Sequence, residues 1–263
     1  MSEETGAPPK ATAEVLVEQL GRILIVTINR PEAKNAVNAA VSQGLAEAMD
    51  RLDEDPDLSV GIVTGSGGTF CAGMDLKAFT RGENVVVPGR GLGFTERPPL
   101  KPLIAAVEGY ALAGGTELAL AADLIVAARD AVFGLPEVKR GLVAAGGGLL
   151  RLPQRIPYAL AMELALTGES LSAVRAHELG MVNVLAEHET VHNTALMLAE
   201  KITANGPLAV AATKRIITES RGWSPADMFG AQMKIALPVF VSKDAQEGAL
   251  AFAEKRLPKW TGS

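Results

Sequence analysis

The chain has 263 residues, of which 48% are apolar and only 4% aromatic, with 27 glycines and a formal charge of −5. That apolar content excludes a disordered chain, the length suits one large α/β domain, and the lack of a basic block removes the electrostatic footprint of a nucleic-acid binder. A single cysteine, Cys71, rules out an intrachain disulfide and a thiolate zinc cage, fits a reducing compartment and makes a cytoplasmic location the expectation.

Residues 1–10 are acidic and carry neither an apolar nor an Arg-rich targeting pattern, which predicts a flexible tail. Two β-runs, at 15–17 and 23–29, flank a Gly21-Arg22 turn and predict a hairpin stopped by Pro31. Over 38–53 the apolar residues Val41, Leu45, Ala48, Met49 and Leu52 recur at helical spacing. A β-branched strand at 60–64, glycines at 65–68 and a helix opening at Asp75 follow. The same grammar returns as a strand over 103–107, a turn at Gly114-Gly115, a helix over 116–122 and a strand over 124–128. Repeated strand–strand–helix units imply a layered α/β fold. Residues 81–102 are too rich in turns for regular structure; a binding-site lid and a plain surface loop both fit them. Helical spacing then dominates 159–166, 172–179, 189–204, 207–220 and 226–256. No run approaches the ~18 apolar residues of a bilayer span, so no membrane partner is expected.

Two segments put glycine where a strand hands over to a helix: Phe70-Cys71-Ala72-Gly73-Met74-Asp75-Leu76 and Tyr110-Ala111-Leu112-Ala113-Gly114-Gly115-Thr116-Glu117. The first N–H groups of a helix lack intrahelical acceptors and carry partial positive charge, so two such termini facing one another could hold a developing oxyanion. Tight connection alone would also explain the glycines. Glu117 opens a helix that is otherwise apolar, where burial and the helix terminus pull its pKa in opposite directions. Glu137 follows one strand and one turn later, close enough to return beside it. Paired carboxylates in a shielded pocket can divide acid and base work; solvated glutamates are the plainer reading of each alone.

These residues carry a resemblance. From about Val15 onward the chain is similar to the crotonase (enoyl-CoA hydratase/isomerase) superfamily. The match runs through Asn29-Arg30-Pro31, the two glycine segments, Phe133-Gly134-Leu135-Pro136-Glu137, Gly146-Gly147-Gly148 and Thr167-Gly168. The resemblance implies a spiral of strand–strand–helix repeats, here residues 11–204, and a helical C-terminal trimerisation region, residues 205–263, in a homotrimer or dimer of trimers. It implies an oxyanion hole from the backbone N–H groups of Met74 and Gly114, holding the thioester carbonyl of an acyl-CoA. Glu117 and Glu137 would be the two catalytic glutamates of a hydratase, adding water syn across the 2,3 double bond. Coenzyme A would belong to the substrate, with no metal or redox cofactor. Its binding would fall on Ala33, Lys34 and Asn35, on Ala72, Asp75, Leu76 and Lys77, and on Phe252 and Lys255 reaching into a neighbouring subunit.

Two departures stand out: Ala113 replaces a frequent glycine beside the hole, and Val143-Ala144-Ala145-Gly146 replaces a more usual Pro-containing segment. The wording around Glu137 and Arg151 also resembles carnitinyl-CoA dehydratases, so that reaction, double-bond isomerisation and non-catalytic acyl-CoA binding stand as alternatives. His188-Glu189-Thr190-Val191-His192 matches the H-E-x-x-H zinc pattern, but it falls where a helix begins rather than within one, and the expectation is no metal site. Cys71 and His177 read as structural.

Overall fold

The computed structural model describes residues 13–263, so the expected tail at 1–10 lies outside the described residues. The hairpin forms as β1 (Val15–Leu20) and β2 (Ile23–Ile28), and the amphipathic helix as α1 (Ala39–Glu54), capped by the Asn38 side chain accepting from the Val41 N–H. Next come β3 (Val60–Gly65), the short α2 (Leu76–Thr80), β4 (Leu103–Val107), β5 (Tyr110–Leu112), α3 (Gly114–Ala121), β6 (Leu124–Ala128) and β7 (Val132–Gly134). Gly114 and Gly115 are the first residues of α3 rather than a turn before it, which corrects the expectation: the reversal is carried one residue earlier, by Ala113 at φ 52°, ψ −123°.

The second half contains α4 (Gly148–Arg155), α5 (Tyr158–Thr167), β8 (Ser170–Ser172), α6 (Ala173–Glu178), β9 (Val184–Ala186) and α7 (Val191–Thr203). Then follow α8 (Pro207–Glu219), α9 (Met228–Phe240) and α10 (Lys243–Ala253). The single helix expected over 226–256 is therefore two, because the Ser242 side chain accepts from the Ala245 N–H and caps a new start.

Two sheets organise the core. One orders its strands β1-β2-β3-β4-β6-β9, antiparallel at β1–β2 and parallel thereafter; the other orders β5-β7-β8. The parallel strands are nearly continuous runs of small and branched aliphatics, as expected of strands covered on both faces. In the second sheet β5 pairs with β7 in parallel and β7 with β8 antiparallel, so these short strands form a separate layer between successive strands of the main sheet in the chain. Helix α8 is tied to that core by the Lys214 ammonium, which donates to Asp123 at 2.6 Å and to the Lys101 carbonyl at 2.9 Å.

The loops that approach the site are fastened by buried polar groups. The fully buried Asn35 amide donates to the Ser66 and Thr69 carbonyls and accepts from the Arg30 N–H, locking the segment that leads into Phe70–Asp75. Residues 81–102 are held on α1, where Asp50 pairs with Arg90 and the Asp53 carboxylate accepts from the Leu100 and Lys101 N–H groups, while Phe94 fills the core. Asn35→Ala removes the side-chain partner of three half-buried backbone groups; at ~1–3 kcal/mol for an orphaned group, urea unfolding should show a loss of at least ~2 kcal/mol.

Candidate active site

The segment around Met74 is placed by two isolated parallel bridges. Cys71 pairs with Ala111 and Met74 with Val37. Val37 uses both its groups on the residues flanking Met74, accepting from the Asp75 N–H and donating to the Gly73 carbonyl, each at 2.8 Å. In a parallel ladder the intervening residue then turns its own N–H away from that neighbour. The Met74 N–H thus faces the opposite side, toward α3. There Gly114, first residue of its helix, has an N–H with no intrahelical acceptor. A Cβ built on Gly114 would lie 3.6 Å from the Met74 nitrogen, and one built on Gly73, at φ 100°, would lie 3.3 Å from the Gly114 nitrogen. The two N–H groups are therefore neighbours, and among the described residues neither donates to a protein acceptor.

Both line a cavity of about 720 Å³ that also contains Ala72, Leu76, Glu117 and Glu137. Glu117 is 3% exposed, and its Oε1 accepts from the Gly148 N–H at 2.9 Å, so the N-terminus of α4 points at the carboxylate. Burial raises its pKa above the ordinary value, while the Gly148 and Gly146 N–H groups and the charge of Arg151 pull it partly back. Glu137 rides on a single helical turn after β7, Pro136–Arg140, where Pro136 fixes the entry. Its Oε2 is buried without a partner among the described residues. Burial raises its pKa, and the Glu117 charge raises it further. The result is a pair of carboxylates, one buried and one half-buried, in the same cavity as two donors that have no acceptor among the described residues.

Of the other expected contacts, Ala72 and Leu76 line the cavity. The loop containing Ala33, Lys34 and Asn35 adjoins it, since the Lys34 carbonyl accepts from the Ala72 N–H, and the Lys34 ammonium lies 5.6 Å from the Tyr110 ring centroid. Asn35 itself spends its side chain on the scaffold, as does Asp75, which caps α2 through the Lys77 and Ala78 N–H groups and pairs with Arg30 at 3.1 Å. Lys77 lies on α2 outside the cavity lining. Phe252 is 87% exposed on α10 and Lys255 follows that helix, both away from this chain's own cavity lining.

Sequence reasoning missed Leu92 and Thr95 and gave Val143 and Arg151 no place in the cavity, which all four line. Arg151 donates to the Thr95 carbonyl at 2.7 Å, tying the 85–97 loop to α4 beside Glu117. The glycines at 146–148 were the available signal: a Cβ on Gly146 would sit 2.5 Å from the Glu117 Oε2. Cys71 is fully buried with its thiol pushed up to about 12 by desolvation, and its sulfur accepts from the Gly73 N–H at 3.4 Å. His188 precedes α7 and faces Asp130 at 3.5 Å, so it does not share a helix face with His192, and His177 bonds the Val182 carbonyl.

A family model described as enoyl-CoA hydratase/isomerase matches residues 18–263. The chain belongs to the enoyl-CoA hydratase/isomerase family. It is 44% identical over 255 residues to enoyl-CoA hydratase EchA19 of Mycobacterium tuberculosis, covering 94% of this chain and 96% of that protein. It is 42% identical over 251 residues to carnitinyl-CoA dehydratase of Proteus mirabilis, covering 92% and 96%. Among solved structures, an enoyl-CoA hydratase from Mycobacterium tuberculosis H37Rv aligns with a TM-score of 0.95 at 79% identity, covering 96% of this chain and all of that one.

The cavity of this family member yields two predictions. Gly146→Ala drives a methyl into the Glu117 carboxylate, and turnover of an enoyl-CoA should fall roughly 10²-fold, measured by loss of thioester absorbance. Raised folded-state pKa values mean that protonation favours the folded chain; the penalty is absent below the ordinary carboxylate range and grows as pH rises through the folded values. Glu137→Gln should therefore melt above wild type at about pH 8 and level with it at about pH 4, by calorimetry.

Proposed function

We propose that the chain is an enoyl-CoA hydratase that adds water across the 2,3 double bond of a trans-2-enoyl-CoA and, in reverse, dehydrates the 3-hydroxyacyl-CoA. The observation that carries this reading is that the buried Glu117 and the half-buried Glu137 share one cavity with two N–H groups that have no acceptor among the described residues. The thioester carbonyl accepts from Met74 and Gly114. As charge builds on that oxygen the donors gain strength, each contributing ~3 kcal/mol to the barrier reduction in sites of this kind. Glu117 orients the water whose oxygen bonds C3, and Glu137 exchanges the proton at C2; protons balance because the water supplies one to the pair as the pair supplies one to carbon. CoA is part of the substrate, and the chemistry needs no metal or redox group.

The cavity lining favours an apolar acyl chain over the cationic group of carnitinyl-CoA. Outside the glutamate pair it contains Arg140, Arg151 and Arg221 against the single carboxylate of Glu96, while Leu92, Leu142, Val143 and Leu150 supply apolar surface. A quaternary ammonium would meet like charge there.

Assembly and location belong to the same reading. Helix α9 leaves Phe229, Met233, Leu237 and Phe240 exposed at helical spacing and buries none of its residues, so we assign that face to other copies in a trimer or dimer of trimers. Phe252 and Lys255 would then serve a neighbour's CoA. No helix among the described residues is long and apolar enough to cross a membrane; a cytoplasmic location rests on the single cysteine.

A panel of apolar enoyl-CoAs with a carnitinyl-type ester, read by absorbance and product mass, tests the reaction. Gain of one water on the apolar substrates is the expected result, and the Glu117→Gln, Glu137→Gln double variant should lose roughly 10²–10⁴ in rate. An isobaric product would instead support isomerisation, and equal slow turnover by wild type and double variant would support a binding protein.

A further inference from the structure

Thr116 is the one hydroxyl-bearing residue in the first turn of α3, and it is 1% exposed. Its Oγ1 is 2.6 Å from the Ala111 carbonyl, 2.9 Å from the Gly134 carbonyl and 3.0 Å from the Gly134 N–H. A hydroxyl has one proton to donate, and the shorter distance gives it to Ala111; the lone pairs accept from Gly134. Ala111 lies on β5 and Gly134 on β7, at the end of the ladder where Leu112 pairs with Gly134 and the Ala113 N–H donates to the Gly134 carbonyl at 2.8 Å. The three-residue strands diverge from that rung, β5 toward Gly114 and β7 toward Glu137. Thr116 also precedes Glu117 directly. One buried hydroxyl thus touches the backbone roots of both the oxyanion arm and the second carboxylate.

We propose that Thr116 is a positioning residue that fixes the separation between the Gly114 N–H and Glu137. This rests on the hydratase reading of the same site. The strands it joins are too short to hold that separation through their own ladder, and Ala113, in a backbone conformation that favours glycine, leaves the arm strained as it leaves β5. A buried hydroxyl that satisfies groups on both strands resists that strain. Its loss misplaces the reacting groups without altering the surface on which CoA lies.

The test compares Thr116→Val, isosteric but without the hydroxyl, and Thr116→Ala, smaller and also without it, with Thr116→Ser, which keeps it. On an apolar enoyl-CoA that wild type hydrates, Val and Ala should lower kcat roughly 10- to 100-fold with KM within about threefold of wild type, and Ser should recover most of the rate. Circular dichroism and a melting curve accompany each variant, so that kcat is compared among folded proteins. Unchanged kcat in the Val and Ala variants overturns the proposal, as does a loss in KM alone or a Ser variant as slow as Ala. Failure of wild type to hydrate any enoyl-CoA overturns the hydratase reading instead, a result visible before any variant is made.

Discussion

The bond from the Gly148 N–H to the Glu117 carboxylate is the contact around which the rest of the cavity is arranged. A carboxylate that is 3% exposed would shed its charge without support. The N-terminus of α4 supplies that support, and it reaches the carboxylate only because Gly146 and Gly148 leave no Cβ in the way. The position of α4 is fixed in turn by Arg151 on the 85–97 loop and by Arg155, which donates to the Ala122 and Asp123 carbonyls at the end of α3. Burial still prevails, so Glu117 sits above the usual carboxylate range, and its charge lifts Glu137 as well. Two carboxylates that resist simultaneous ionisation suit a reaction that needs an acid and a base at once.

The opposite wall follows a different constraint. Both N–H groups of the proposed hole are left over from regular structure: Met74 by its place in a parallel bridge, Gly114 by its place at a helix start. The Met74 N–H is held in place by the bonds that Val37 makes to Gly73 and Asp75 on either side of it. Close packing makes this possible. A Cβ on Gly115 would run into the Cys71 carbonyl, and one on Gly73 would come within 2.7 Å of the Ala113 Cβ. Ala113 adds the one methyl the approach can hold, in a backbone conformation that favours glycine.

Much of this was legible in the sequence because it depends on local pattern. Helix α1 announces itself through Val41, Leu45, Met49 and Leu52, and the neighbouring Met74 and Gly114 N–H groups through glycines at two strand-to-helix junctions. Glu117 and Glu137 could be paired because a strand and a turn separate them. What escaped is either short or long-range. Strands β5, β7, β8 and β9 have three residues each, too few for a period of two to register. Helix α4 opens on glycines and contains Pro153, both of which argue against a helix locally; burial of Gly148 and Leu152 overrides them. Leu92, Thr95 and Arg151 reach the cavity from segments whose proximity depends on tertiary packing, for which spacing gives no sign.

In the proposed reaction Met74 and Gly114 polarise a thioester carbonyl in the cavity that holds Glu117 and Glu137. The most direct measurement is the ultraviolet difference spectrum of an enoyl-CoA bound to the Glu117→Gln, Glu137→Gln double variant, which removes turnover and leaves the hole intact. The enoyl-thioester band should move to longer wavelength on binding, and adding Gly73→Ala, which forces the two arms apart, should abolish the shift while the ligand still binds. A bound enoyl-thioester whose band stays where it is in water would contradict the account.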